Sequence, residues 1–308
     1  RVYVHERTRK NGKQIVNLIL TVLEIVAPVF LLATVGFAWV KLGFEYRIKF
    51  VTQLAMTISV PCLIFTALMK TQIDPVTLST VSIAAVTAYF FVTIAAFLTV
   101  KIAGINRQTF MAPLIFGNTG NLGLPLAFFA FGDQGLGYAV IIFAIMGVYS
   151  FTFGVWLVSG GGSVLRVIKE PMVGATILGA LFLWQGWQTP TFLTNTLELA
   201  GQMAIPLMLI TLGVALARLS PKSLGLSVVL SLIKVAFCIV IGWSVGRWFG
   251  LPDIALGVLV LQVSTPVAVT SYLLAEKYGE DAESVAGLVV ISTLISVITI
   301  PLTLAFVI

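Results

Sequence analysis

The sequence predicts an all-α integral membrane protein of ten transmembrane helices, built as two inverted halves of five, with the fourth and ninth helices broken at mid-membrane. Three observations predict it. The 308-residue chain is 59% hydrophobic and only 10% charged, whereas soluble domains carry about 25% charged residues. Apolar stretches of about 20 residues, the length that crosses a bilayer, recur along the whole chain with short loops between them. Two of these stretches, in corresponding positions of the halves, hold residues that a continuous helix would avoid.

The ten spans fall at 17–40, 48–69, 76–100, 108–131, 136–158, 170–187, 192–217, 223–249, 253–275 and 284–307. Ahead of the first lies a basic arm, residues 1–16. The apolar run that follows continues from Ile15 to Val40, too long for the apolar region of a signal peptide, and it reads as a span. One Gly/Ser-rich connector, SGGGS at 159–163, sits near the middle of the chain and divides it into two sets of five. The sets echo each other. Pro61 is followed five residues later by Thr66 in the second span, and Pro206 by Thr211 in the seventh.

Orientation follows from the loops. Those after spans 1, 3, 5, 7 and 9 carry ten Lys and Arg, and those after the other spans carry two. The positive-inside rule then places the ten on the cytoplasmic side and both termini outside, against the pull of the basic arm. Five spans per half force the second half to enter upside down, the inverted-repeat plan of secondary transporters.

The fourth span reads GNTGNLGLP from Gly117 to Pro125. Its glycines, asparagines and proline would cost a continuous helix about 7 kcal/mol relative to alanine. The ninth span carries QVSTPVAVTS at 262–271. Both interruptions fall at the centres of their uncharged runs, where irregular backbone survives only if buried in protein or lining a polar cavity. A helix restarting there presents free N–H groups and about half a positive charge. Thr265 followed by Pro266 reads as an N-cap with proline at the first helical position, and Pro125 is expected to begin the second half of the fourth span likewise. Two such N-termini make a pocket suited to a carboxylate. Asn118, Thr119, Gly120, Asn121, Pro125, Ser264, Thr265, Pro266 and Thr270 are the expected solute-binding residues. Simple packing kinks are the structural alternative, and Pro28 and Pro301 are expected to be no more than that.

Lys234, about 12 residues into the eighth span, falls near the midplane, roughly 18 Å from its start at ~1.5 Å per residue. A buried charge there costs at least ~2.5 kcal/mol. It joins the solute site or, on the structural alternative, caps a carbonyl or snorkels. Glu24 and Glu198 lie within two turns of span ends and are expected to anchor at the interface. The midplane thus holds a cation and no carboxylate, which disfavours a proton pump built on paired acids. Cys62 and Cys238 lack metal-like spacing and read as small buried hydrophobes. His5 lies in the arm, so neither a zinc site nor a histidine relay is expected in the membrane. No nucleotide motif or catalytic signature such as HExxH or GxSxG is present. Scattered basic loops do not suggest nucleic-acid binding. No cofactor, metal or enzyme activity is expected.

GNTGNLGLP, the LRVIKEP entry to the sixth span, the AIPLMLITLG run of the seventh and the closing STPVAVTSYLLAEKYGEDAESVAGLVVISTLISVITIP resemble the auxin efflux carrier family, over nearly the whole chain after Leu23. The short loop at 159–169 resembles its prokaryotic branch, which includes malonate and malate permeases. The resemblance implies a fold similar to sodium/proton antiporters and bile-acid symporters, with helices 4 and 9 crossed. It implies scaffold spans at 17–69 and 170–217, transport-domain spans at 76–158 and 223–308, a hinge linker at 159–169, an elevator mechanism and a homodimer through the scaffold. Asn118 and Asn121 match the polar positions before the family's crossover proline, here Pro125, and Pro266 matches its counterpart. Lys234 falls where relatives often carry a basic residue. They often follow it with proline, and this chain has VAFC instead.

The function expected is secondary transport of small organic anions, auxin-like or dicarboxylate, in a cell membrane. Two alternatives stand beside it. One is a sodium-coupled symporter of the bile-acid type, with Na⁺ held by groups at the breaks such as Thr119, Ser264 and Thr265. The other is a membrane sensor that binds a ligand and transports nothing.

Overall fold

A computed structural model of the chain describes residues 2–70, 75–159, 171–219 and 224–307. The expected hinge at 159–169 lies, but for Ser159, outside the described residues. The chain folds into helices: α1 Val2–Lys41, α2 Ile48–Leu54, α3 Val60–Lys70, α4 Pro75–Ala103, α5 Arg107–Ile115, α6 Leu124–Tyr149 and α7 Val155–Ser159. After residue 170 follow α8 Pro171–Gln185, α9 Thr191–Gln202, α10 Ala204–Arg218, α11 Leu224–Trp248, α12 Asp253–Ser264, α13 Val269–Tyr278 and α14 Ala282–Val307. Short π-helical turns join α2 to α3 (Ala55–Ser59), lead into α6 (Thr119–Gly123) and join α6 to α7 (Ser150–Gly154).

Seven helical stretches among the described residues are long and apolar enough to cross a membrane: Val22–Lys41, Ile48–Lys70, Val76–Ala103, Thr119–Val158, Thr191–Arg218, Leu224–Trp248 and Ala282–Val307. Gly174–Gln185 and Asp253–Ser264 are shorter apolar helices. Large apolar side chains such as Leu31, Phe90 and Leu302 lie on the outside, the reverse of a water-soluble surface. The protein is therefore an all-helical, multi-pass membrane protein.

Local chemistry sets the helix ends. The Asn106 side chain accepts the Thr109 N–H at 3.0 Å and starts α5. Asp281 accepts the Ser284 N–H at 3.0 Å at the start of α14. Pro190 and Pro252 precede α9 and α12, each giving up a donor where the helix would leave one unpaired. The long stretch Thr119–Val158 is not one straight rod. Gly132, at φ 64° and ψ −155°, breaks α6 internally, in the left-handed half of backbone space that glycine tolerates best.

Packing gathers the helices into two groups. α1 runs along α10, and α3 runs along α8 and α9. In the second group α11 packs on α4, α12 and α14, and α12 packs on α6. The tight apolar centre of the second group, including Val92, Leu126, Ala139, Val260 and Leu288, excludes solvent and fixes the two broken helices against each other.

Candidate functional site

Both predicted interruptions are present. After Ile115 the chain leaves the helix at Phe116 (φ −91°, ψ 117°), and after Ser264 it does so at Thr265 (φ −54°, ψ 148°). The two extended segments meet as a single antiparallel bridge between Gly117 and Val267. The Asn118 N–H donates to the Pro266 carbonyl at 2.7 Å, and the Ala268 N–H donates to the Phe116 carbonyl at 3.2 Å. Each break thus supplies the partners that the other lacks, as buried backbone requires. Gly117 makes the approach possible, because a Cβ there would collide with the Thr265 hydroxyl and crowd its carbonyl. Gly123 faces the amide of Gln262 in the same way.

The restart of the second break differs from the expectation. Thr265 closes α12 instead of capping α13, and helix resumes only at Val269, with Ala268 at the N-cap. Local capping preference at Thr265–Pro266 yields to tertiary pairing, since residues 265–268 must stay extended to bridge 116–118. At the first break helical winding resumes at Thr119, after Asn118, and Pro125 sits at the second position of α6. Pro125 is thus inside the restart and not its first residue.

The expected site residues divide between two faces of this crossing. On one face is a cavity of about 280 Å³, lined by Asn118, Gly120, Asn121 and Thr270 from the breaks, by Ser150 and Phe143, and by Thr52 and Thr211 across from them. Its volume is near the lower end of small-molecule pockets, ~300–1,000 Å³. Asn118 is buried, and its amide nitrogen has no partner. The first N–H groups of the turn, from Thr119 to Asn121, precede Leu122, the first to bond back to the Asn118 carbonyl. Such leading N–H groups carry partial positive charge. Every residue lining the cavity is uncharged, so this face offers donors and a positive dipole end.

Thr119 and Pro125 are buried behind that face. Ser264, Thr265, Pro266 and Lys234 lie on the other face, around a nook of only about 10 Å³. There the Lys234 ammonium donates to the Thr265 carbonyl at 2.9 Å, the Thr265 hydroxyl donates to the Gln262 carbonyl at 2.7 Å, and the Val267 N–H donates to Ser292 Oγ at 3.0 Å. Lys234 is therefore a carbonyl cap. It is the one ionisable group of the Asp, Glu, Lys and Arg type that is buried among the described residues.

Sequence reasoning missed Ser150, Ser292, Gln262 and Thr52. Thr211 carries a signal in the sequence, its match to Thr66, though not one that points to a site. Its hydroxyl lies 2.8 Å from that of Tyr46. Glu198 pairs with Lys70, and both line a second cavity of about 480 Å³ with Thr66 and Asp133. Among the described residues, no cluster of His, Cys, Asp and Glu could hold a metal.

A family model described as "Membrane transport protein" matches residues 21–163 and again 155–304. An "Uncharacterized transporter" of Methanocaldococcus jannaschii is 25% identical over 304 residues, spanning 91% of this chain and 97% of its own length. Another "Uncharacterized transporter", from Methanothermobacter thermautotrophicus, is 25% identical over 298 residues, 91% of this chain and 96% of its own. A protein of Rhizobium meliloti named "Putative malonate transporter" is 25% identical over 201 residues, 60% of this chain and 62% of its own.

Proposed function

This chain belongs to the membrane transport protein family, and from that premise we propose that it is a secondary transporter of small carboxylates, bound in the 280 Å³ cavity at the crossing. The observation that carries the proposal is Asn118, which lines that cavity and whose buried amide nitrogen has no partner. Beside it stand the leading N–H groups of the Thr119 turn, and across the crossing those of α13 at Val269 and Thr270. A carboxylate accepts such bonds, and charge-assisted ones are about twice as strong as neutral ones. The malonate named for the Rhizobium relative is a small dicarboxylate of the right kind. Lys234, Thr265 and Pro266 would act indirectly, by holding the second break in place.

The alternating-access part of the proposal draws on an internal symmetry of the two cavities. Leu63, Thr66 and Lys70 line the larger one, and Met208, Thr211 and Ala215 line the smaller, each pair 145 positions apart. Thr52, Ala55 and Met56 pair with Glu198, Gly201 and Gln202 at 146 positions. The one-residue difference falls at the π turn Ala55–Ser59, whose i→i+5 bonds close over one residue more than an α turn. Matching helix walls thus line cavities toward opposite ends of the α2–α3 rod. That supports ten spans in two inverted halves, with α1–α3 and α8–α10 as the scaffold past which the crossing moves. By the loop-charge count the cavity at Asn118 faces the cytoplasm, because Ile48 and Ala215 lie beside Arg47, Lys49 and Arg218.

Reconstitution in liposomes tests this. Malonate or a related carboxylate should move across the membrane, and Asn121→Ala should weaken its binding at least ~10-fold, equivalent to ~1.4 kcal/mol. A panel of carboxylates that neither moves nor raises the melting temperature would sink the proposal.

A further inference from the structure

Lys234 does not belong to the cavity, yet it is the only buried Lys, Arg, Asp or Glu among the described residues. Its one hydrogen-bond partner among the described residues is an oxygen, the carbonyl of Thr265 at 2.9 Å, and the hydroxyl-bearing residues Ser231, Ser264, Ser292, Ser296 and Thr299 line the nook beside it. No carboxylate is among the lining residues. The space left over, about 10 Å³, is at or below what one water needs. The Ser231 hydroxyl is buried there with no partner.

A helix-terminal carbonyl with hydroxyl-bearing residues beside it, and no carboxylate among them, offers the oxygen ligands that hard cations take, and an uncharged set of them suits a single charge. It also sits where a positive charge is most useful, at the C-terminal end of α12, whose dipole is negative. Here the position is filled from within the chain.

We propose that Lys234 is a resident cation, occupying a monovalent-cation site and holding the second break of the crossing without any exchangeable ion. The native carrier then needs no Na⁺ to assemble its solute site. Removing the lysine side chain vacates an oxygen-lined site that takes a small monovalent cation or an alkylammonium ion. The solute arm of this inference rests on the carrier reading above. The cation arm does not, because it is read on the purified chain with no solute present.

The experiment compares melting temperatures of the full-length wild-type protein, Lys234→Ala and Lys234→Met in choline chloride, sodium chloride and propylammonium chloride. Wild type should melt at the same temperature in all three. Lys234→Ala should melt several degrees lower in choline and recover at least half of that loss in sodium or propylammonium, since a ligand bound only by the native state raises apparent stability. Lys234→Met, which fills the space without charge, should be lowered and should not recover. Malonate affinity should follow the same pattern, falling and recovering with the cation. Stabilisation of wild type by sodium over choline overturns the proposal, as does a Lys234→Ala protein that no cation rescues. A Lys234→Met protein equal to wild type does so too, because the charge would then be idle. If malonate binds none of the proteins while the melting pattern holds, the carrier reading fails and the resident cation stands.

Discussion

The two breaks that cross at Gly117 and Val267 occupy the same depth and answer each other's hydrogen bonds, yet they are finished in opposite ways. The extended part of the second is tied down, Thr265 by Gln262 and Lys234 and Val267 by Ser292, while the unpartnered Gln262 Oε1 and Ser231 Oγ lie on the helices that flank it. The first keeps loose polar ends. Asn118 Nδ2 and Thr119 Oγ1 have no partner, and its turn opens on the cavity. A buried polar group left unpaired costs about 1–3 kcal/mol, so a fold does not keep several at one turn without return. On the carrier reading proposed above, the difference marks the first break as the one that binds and the second as the one that supports it.

The contrast can be broken first at the contact shared by both. Gly117→Ala drives a Cβ into the Thr265 hydroxyl and carbonyl, and the crossing is expected to lose about 3 kcal/mol, the upper range for overpacking. A collapse in folded yield and melting temperature would show it, and wild-type melting would refute the close approach. Ser292→Ala tests the tied break. It strands the Val267 N–H and should cost about 1–3 kcal/mol in stability, with carboxylate affinity changed only through the loss of folded protein. Asn118→Ala tests the loose break and should do the reverse, weakening carboxylate affinity about 10-fold (~1.4 kcal/mol) while melting within a degree or two of wild type. An Asn118→Ala protein that binds normally but melts early would exchange the two roles. Smallest is Thr211→Val, which removes the 2.8 Å contact with the Tyr46 hydroxyl and should cost about 1 kcal/mol, one neutral hydrogen bond.

Much of this crossing was legible in the residues. Glycine and proline at mid-span are so costly in a helix that Gly117–Pro125 and Thr265–Pro266 announced two interruptions, and their depth followed from the uncharged runs around them. The Pro–Thr pairs at Pro61 and Pro206 pointed to the helices that now line matching cavity walls. What the sequence hid is direction. Lys234 was expected at the level of the breaks and does lie beside Thr265, but one-dimensional spacing does not say toward which face of the crossing a side chain extends. The late restart at Val269 was hidden for a related reason: the pull on residues 265–268 comes from Phe116 and Asn118, some 150 positions away. Ser292 gave no signal, because a serine in an apolar helix usually bonds its own preceding turn, as its Oγ also does with the Val289 carbonyl.

The bridge between Gly117 and Val267 has a practical consequence for redesign. It is made by main-chain atoms, so it is indifferent to which side chains decorate Asn118, Asn121 and Thr270. If the proposed carrier reading holds, selectivity can be rewritten at those three positions as one changes the bits of a tool, while the chuck that grips them stays the same.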